Sequence, residues 1–213
     1  MVIAAPEPKP AVSSPAIGEK RVVLSGISWE AYTQFLNALP PTRGSKLTYD
    51  DGLLEITMPL EDHEFAGRLI ERFILTLVEV FGLRIKTMGS TTLNYPYLKK
   101  GAEPDNAYYI QNQSVVKGRN VDLSVDPPPD LVVEVDITHT DIEKNRFYAD
   151  MGVPEFWRFN GKAWRIYQLQ EAVYVEVAVS PTFFQVRKEQ LYDFLEAAKE
   201  DEIEAVVALR EMF

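Results

Sequence analysis

The sequence predicts a single α/β domain with mixed helices and strands (α+β), and three observations support this prediction. Apolar side chains recur at helical spacing between residues 63 and 81, which is typical of a long amphipathic helix. The pairs Asp51-Gly52 and Asn160-Gly161 each separate two strand-like runs, as expected for tight β-hairpins. The run LVVEVDI at residues 131–137 has the composition of a buried strand.

The length of the chain bounds its domain organisation. With 213 residues, 46% of them hydrophobic, the chain can bury one sizeable core, and its length favours one domain over two. Residues 1–20 are rich in Pro, Ala and Ser and lack apolar periodicity. We therefore expect a disordered N-terminal tail at residues 1–20 and one domain at residues 21–213, which ends in helices.

The N-terminal half of the domain predicts a helix, a hairpin and a longer helix. Ser28 can cap a short helix, which two prolines end. The hairpin follows at residues 46–58. His63 then opens the long amphipathic helix, and Gly82 is its natural terminator.

The C-terminal half predicts strands interrupted by one short helix. Strand-like segments at residues 83–95 and 102–110 lead through a polar loop to the apolar run. Thr140 and Glu143 then match a capping box for a short helix. The second hairpin, a strand near residues 173–179 and C-terminal helices complete the chain, and no internal repeat occurs.

Composition limits the kinds of site and the compartment. The chain has no cysteine, which excludes disulfides, thiolate zinc sites and a cysteine nucleophile. The N-terminus lacks the basic start and apolar core of a signal peptide, and no apolar run reaches the roughly 18 residues that span a bilayer. We expect a soluble cytoplasmic protein without membrane contacts.

The charge distribution bears on nucleic-acid binding. The net charge of -10 weighs against binding, because Lys and Arg supply most of the non-specific affinity for phosphates. Residues 84–120, however, carry six basic against two acidic side chains, and residues 188–213 carry eight acidic against three basic ones. The uneven charge predicts a basic surface at residues 84–120, with Lys99 and Lys100 in contact with nucleic acid.

The apolar run carries two acids on one face. Side chains alternate along a strand, so Leu131, Val133 and Val135 face one way while Glu134 and Asp136 face the other. Buried carboxylates cost several kcal/mol unless they are paired, hydrogen-bonded or bound to a cation. The alternative is an edge strand whose acidic face is solvated.

A third acid, Asp105, follows Pro104 and opens the strand-like run NAYYI. Alone, a Pro-Asp dipeptide marks a turn. An Asp at the start of one strand and Glu134 within a neighbouring strand could, however, converge on a hard cation such as Mg²⁺.

The segments EPDNAYYI, PPPDLVVEVDIT and DIEKNRFYADMGVPEFWRFN resemble the Uma-type restriction endonuclease family, a branch of the PD-(D/E)XK nuclease superfamily. The likeness spans residues 25–170 and is most specific at residues 130–159. It implies a restriction-endonuclease-like central mixed β-sheet flanked by helices, and metal-dependent hydrolysis of phosphodiester bonds. It also implies that Asp105 and Glu134 are catalytic residues that hold Mg²⁺ or Mn²⁺.

The chain departs from the superfamily pattern two residues beyond Glu134, where a lysine is usual and Asp136 stands here. Many Uma-type sequences carry a lysine on the next helix instead, which implies a catalytic role for Lys144, with Tyr148 one turn later. The alternative is a solvated helix lysine. Asp136 could be an extra metal ligand or the ion-pair partner of Lys144.

The two histidines have weaker assignments. His63 could act near the site as a base or a substrate contact, although a histidine at a helix start is more often structural. His139 lies in a polar turn and is expected to be incidental.

Two functions follow from the resemblance. The first is an active Mg²⁺-dependent nuclease that acts on DNA. The second is a catalytically inactive protein of nuclease fold that serves as a binding or assembly module. A homodimer would suit double-strand cleavage, because a two-fold axis presents two identical sites.

Overall fold

The structure of the chain, a computed structural model, describes residues 20–40, 42–137 and 140–213. The predicted tail, apart from Lys20, and His139 lie outside the described residues. Within these ranges the chain forms two β-sheets and six α-helices, and this mixed α/β architecture confirms the predicted fold class. No helix in the described ranges combines the length and the apolar character needed to cross a membrane.

The first sheet is antiparallel and has five strands. Its order is β1-β3-β2-β6-β5, and its strands are β1 (Lys20–Ser25), β2 (Lys46–Asp50), β3 (Leu53–Met58), β5 (Leu93–Tyr95) and β6 (Lys100–Ala102). As predicted, Asp51 and Gly52 form the tight turn between β2 and β3, both with positive φ.

The second sheet is mixed and has six strands. Its order is β11-β10-β9-β8-β7-β4, and its strands are β4 (Lys86–Thr87), β7 (Asn106–Tyr109), β8 (Leu131–Val135), β9 (Glu155–Phe159), β10 (Trp164–Gln170) and β11 (Val173–Val177). Strands β8 and β9 are parallel, and the other neighbours are antiparallel. All five residues of β8 are buried, so the edge-strand alternative is wrong.

The helices are α1 (Trp29–Ala38), α2 (Glu61–Val80), α3 (Gln113–Val116), α4 (Lys144–Asp150), α5 (Lys188–Glu200) and α6 (Glu202–Glu211). Ser28 caps α1, because its side chain accepts a hydrogen bond of 3.1 Å from the main-chain N–H of Ala31. A parallel pair needs a crossover connection, and α4 provides it between β8 and β9.

The second sheet is covered on both faces. Leu131, Val133 and Val135 pack with α2, α5 and α6 in one cluster of buried apolar side chains. Val132 points the other way and packs with α4 and with strands of the first sheet. Glu134 therefore faces the layer between the two sheets, where the candidate site lies.

The capping box predicted at Thr140 is wrong. Helix α4 begins at Lys144, and the side chain of Glu143 accepts hydrogen bonds from the main chain of its first turn. Thr140 instead donates its hydroxyl to the buried carboxylate of Glu55, at 3.0 Å from Oε1. The Thr140 oxygen accepts from the main-chain N–H of Ile142, at 3.3 Å, and not from the first turn of α4. The bond to Glu55 ties the chain before α4 to the first sheet.

Candidate active site

A small cavity lies at the C-terminal end of β8, between the two sheets. Its volume of ≈ 20 Å³ is enough for about one water molecule or one ion. Its lining comes from both sheets, from α2 and from α4 and comprises Arg21, Lys46, Thr48, Glu55, Thr57, His63, Glu103, Asp105, Glu134, Val135, Asp136 and Lys144. Asp105 and Glu134, which the sequence predicts to converge, therefore line the same cavity.

Asp105 lies between β6 and β7 and is held from three sides. The main-chain N–H of Val135 donates to its Oδ2 at 2.6 Å, His63 Nε2 lies 3.3 Å from the same oxygen, and the Lys46 ammonium donates to Oδ1. Burial alone would raise the pKa of Asp105. The hydrogen bond from His63 and the charge of Lys46 outweigh burial and hold the pKa well below its usual range.

Glu134 lies within β8 and is bound from α4. Lys144 Nζ donates to Oε1 at 2.8 Å, and the Tyr148 hydroxyl donates to the same oxygen. Burial and the neighbouring charges of Asp105 and Asp136 raise the pKa of Glu134 to about 7, against the opposing charge of Lys144. The two carboxylates of one cavity thus have pKa values displaced in opposite directions.

Lys144 is a buried residue of the site, so the alternative of a solvated helix lysine is wrong. It is the first residue of α4, and its side chain is only 7% exposed. Tyr148 follows one turn later, with its ring centroid 5.9 Å from the Lys144 ammonium. Burial opposes the charge of Lys144, but Glu134 and then Asp136 outweigh burial and raise the pKa of Lys144.

The other two accessory candidates also lie at the cavity. His63 is buried in the first turn of α2, where it contacts Asp105. Asp136 forms an ion pair of 2.7 Å with Arg158 of β9, so the alternative of an ion pair between Asp136 and Lys144 is wrong. The other alternative, an extra metal ligand, stays a prediction.

Sequence reasoning missed Lys46 and Glu55 of the first sheet. Lys46 and Thr48 on β2 stand opposite Thr57 and Glu55 on β3, so the hairpin presents one polar face. That alternation is visible in the sequence and could have indicated a functional face. Its approach to Asp105, however, depends on how the two sheets pack.

An open groove adjoins the cavity. It has a volume of ≈ 540 Å³, shares Lys46, His63, Glu103 and Asp105 with the cavity, and adds Arg43 and Arg68 among its lining residues. The Arg68 side chain is 73% exposed, whereas Arg43 is bound to the carboxylate of Glu103. The groove opens onto Asp105, whereas Glu134 lines the cavity alone.

The two lysines predicted to contact nucleic acid lie elsewhere. Lys99 is exposed, 3.9 Å from Asp51. Lys100 is buried, donates to Asp50 and lies 3.3 Å from Asp150, so the exposed position expected for it is wrong. Neither lysine lines the groove or the cavity.

The donor chemistry of the cavity fits a hard divalent cation. The described residues contain no group of three or more His, Asp or Glu side chains arranged to hold a metal ion. Two carboxylates can nevertheless suffice for Mg²⁺, which keeps several waters and takes further oxygens from substrate phosphates. Asp105 and Glu134 supply such oxygens within one cavity.

The fold is similar to that of a solved nuclease-type structure, and a family match agrees with it. The crystal structure described as a putative nuclease belonging to DUF820 from Anabaena variabilis ATCC 29413 superposes with a TM-score of 0.55 at 14% identity, covering 78% of this chain and 98% of that one. Residues 29–196 match the Uma2 family, described as putative restriction endonuclease. The chain therefore belongs to the Uma2 family. A comparison with curated proteins finds no match.

Proposed function

We propose that the chain is a nuclease that hydrolyses phosphodiester bonds in nucleic acid, with DNA as the expected substrate, in the cytoplasm. The observation that carries this proposal is the convergence of two acids, Asp105 from the segment before β7 and Glu134 from β8, in one cavity beside an open groove. Membership of a family described as putative restriction endonuclease supports it.

Asp105 and Glu134 would hold Mg²⁺ or Mn²⁺. The bound ion would polarise the phosphate and lower the pKa of a water molecule. His63 and the main-chain N–H of Val135 orient Asp105 through their contacts with Oδ2.

Lys144 and Tyr148 orient Glu134, as His63 and Val135 orient Asp105. Burial favours the protonated carboxyl, whereas the Lys144 ammonium favours the carboxylate that a cation needs. Tyr148 donates to the oxygen that Lys144 also contacts and so fixes its direction. The positive charge of Lys144 would also stabilise negative charge that develops at the phosphate.

A second candidate is a catalytically inactive module that retains the fold. The observation that favours it is the third motif position, where Asp136 stands and is bound to Arg158. Both cavity carboxylates also already have ammonium partners. Such a chain would bind a partner without hydrolysing a bond.

A cleavage assay separates the two candidates. Duplex DNA, single-stranded DNA and RNA are incubated with the protein in Mg²⁺, Mn²⁺ or a chelator, and Asp105→Asn and Glu134→Gln are compared with the wild type. Asp193→Asn is the matched control, because Asp193 is exposed on α5. The nuclease proposal expects metal-dependent cleavage that both site variants abolish and the control retains.

The inactive module expects no cleavage of any substrate in either metal. Contamination by another nuclease would show as cleavage that survives both site substitutions.

We also propose a homodimer, because a two-fold axis would present two identical sites for double-strand cleavage. Light scattering on the same preparation measures the oligomeric state.

A further inference from the structure

The two cavity carboxylates are each bound by a different lysine. Lys144 from α4 donates to Glu134, and Lys46 from β2 donates to Asp105. The two lysines thus come from opposite sides of the site, one from the crossover helix and one from the first sheet. They differ in their access to the open groove.

Lys46 lies where the groove meets the cavity. It is the one lysine of the described chain that lines both of them, whereas Lys144 lines the cavity alone. The Lys46 side chain retains 19% exposure against 7% for Lys144. A ligand that enters by the groove therefore meets the ammonium of Lys46 before it reaches that of Lys144.

The partners of Lys46 leave it able to bind a further anion. Its ammonium donates to Asp105 and lies 4.0 Å from a carboxylate oxygen of the half-exposed Glu64. An ammonium has three donors on a flexible stem, so one contact with Asp105 does not exhaust it. A cation bound to Asp105 would also weaken the attraction between this carboxylate and the Lys46 ammonium.

We propose that Lys46 is a substrate-binding residue whose ammonium contacts a non-bridging phosphate oxygen of a nucleic-acid strand lying in the groove. Lys144 remains the counter-ion of Glu134. This inference rests on the proposed function, because it assigns a substrate contact within the same site. Lysine is suited to this contact because its ammonium is a compact point charge on a flexible stem, which can reach a phosphate oxygen in several positions.

Nucleic-acid binding across a salt series tests this assignment. The probe is a fluorescently labelled DNA duplex in Ca²⁺, and Lys46→Met is compared with Lys46→Arg and with Lys162→Met. Lys162 is an exposed lysine in the hairpin turn before β10. Circular dichroism checks that each variant is folded, and Lys46→Gln replaces Lys46→Met if the methionine variant fails to fold.

Loss of a phosphate contact has a defined signature. Lys46→Met should weaken binding roughly tenfold at low salt, as expected for a charged hydrogen bond. The slope of log affinity against log salt, which is negative, should become shallower by about 0.9, the value for one phosphate contact on duplex DNA. Lys46→Arg should retain the slope, and Lys162→Met should match the wild type.

Unchanged affinity and salt slope in a folded Lys46→Met or Lys46→Gln variant would overturn the inference, because a purely structural lysine would leave the slope as it was. A wild type that binds DNA but does not cleave it overturns the proposed activity alone, and the salt slope still decides the role of Lys46. A wild type that binds neither DNA nor RNA at low salt overturns both.

Discussion

The main-chain N–H of Val135 donates a hydrogen bond of 2.6 Å to the carboxylate of Asp105. Val135 is the last residue of β8 and the immediate neighbour of Glu134. This contact fixes the relative positions of the two acids through the backbone, so neither acid depends on side-chain packing alone.

Asp105→Asn should therefore separate folding from cation binding. Asparagine retains an oxygen for the Val135 N–H but leaves Lys46 without its anion. We therefore expect the free energy of unfolding to fall by about 1–3 kcal/mol. Mg²⁺ or Mn²⁺ should stabilise the wild type against urea and leave the variant unaffected. Equal stabilisation of both proteins by either cation would place its binding elsewhere.

Lys144→Met should lower stability substantially. The substitution leaves Glu134 buried without its counter-ion, and breaking a buried pair typically costs about 3–5 kcal/mol. Urea unfolding measures the loss. The control is Lys199→Met, which removes an exposed ion pair with Glu196 and should cost less than about 1 kcal/mol. Similar losses for the two variants would mean that the Glu134 contact contributes no more than a surface pair.

Charge reversal at Lys99 tests the surface expected from the sequence. The exposed side chain should add affinity if nucleic acid extends beyond the groove onto residues 84–120. Lys99→Glu should then weaken binding and reduce its salt dependence relative to Lys162→Glu. Identical binding curves for the two variants would confine the nucleic-acid surface to the groove.

The stability of the chain should carry a pH signature from Glu155. This buried acid accepts hydrogen bonds from Trp157, Ser180 and the main chain of Thr182, yet burial outweighs them and raises its pKa above 4.5. A raised folded-state pKa contributes stability below the unfolded value and loses it as pH rises through the folded value. Relative to Glu155→Gln, the wild type should therefore lose stability as pH rises above 4.5.

Urea unfolding of both proteins over a pH series measures this difference, which can change by at most about 1.4 kcal/mol per pH unit for one proton. The difference should become constant once pH exceeds the folded-state pKa of Glu155. A difference that instead shifts in favour of the wild type as pH rises toward 4.5, and is constant above it, would mean that the folded carboxyl has a lowered pKa.

Local signals made much of the fold predictable. The turns at Asp51-Gly52 and Asn160-Gly161 need positive φ, and the glycine in each turn has it, so short sequence motifs identified both hairpins. The unbroken burial of β8 followed from its apolar composition. By contrast, β1 is mostly exposed and forms by pairing with β3, a long-range interaction that leaves no local periodicity.

The candidate site likewise contains residues that the sequence could indicate and residues that depend on long-range packing. Asp105, Glu134 and Lys144 could be indicated by motif resemblance, and the structure brings them to one cavity. Lys46 could not, because its approach to Asp105 requires the first sheet to pack beside the end of β8. The expectation that Lys100 is exposed was wrong for a related reason, because its ammonium donates to Asp50 on a neighbouring strand.

The burial of Lys144 against Glu134 affects how relatives of this chain should be compared. A descendant that no longer cleaved anything would still pay heavily for losing either partner, because an isolated charge would remain in the interior. Purifying selection for folding alone would then preserve both residues. Retention of this pair across a lineage is consequently poor evidence of activity, and the half-exposed groove residues are the better record of whether a substrate is still bound.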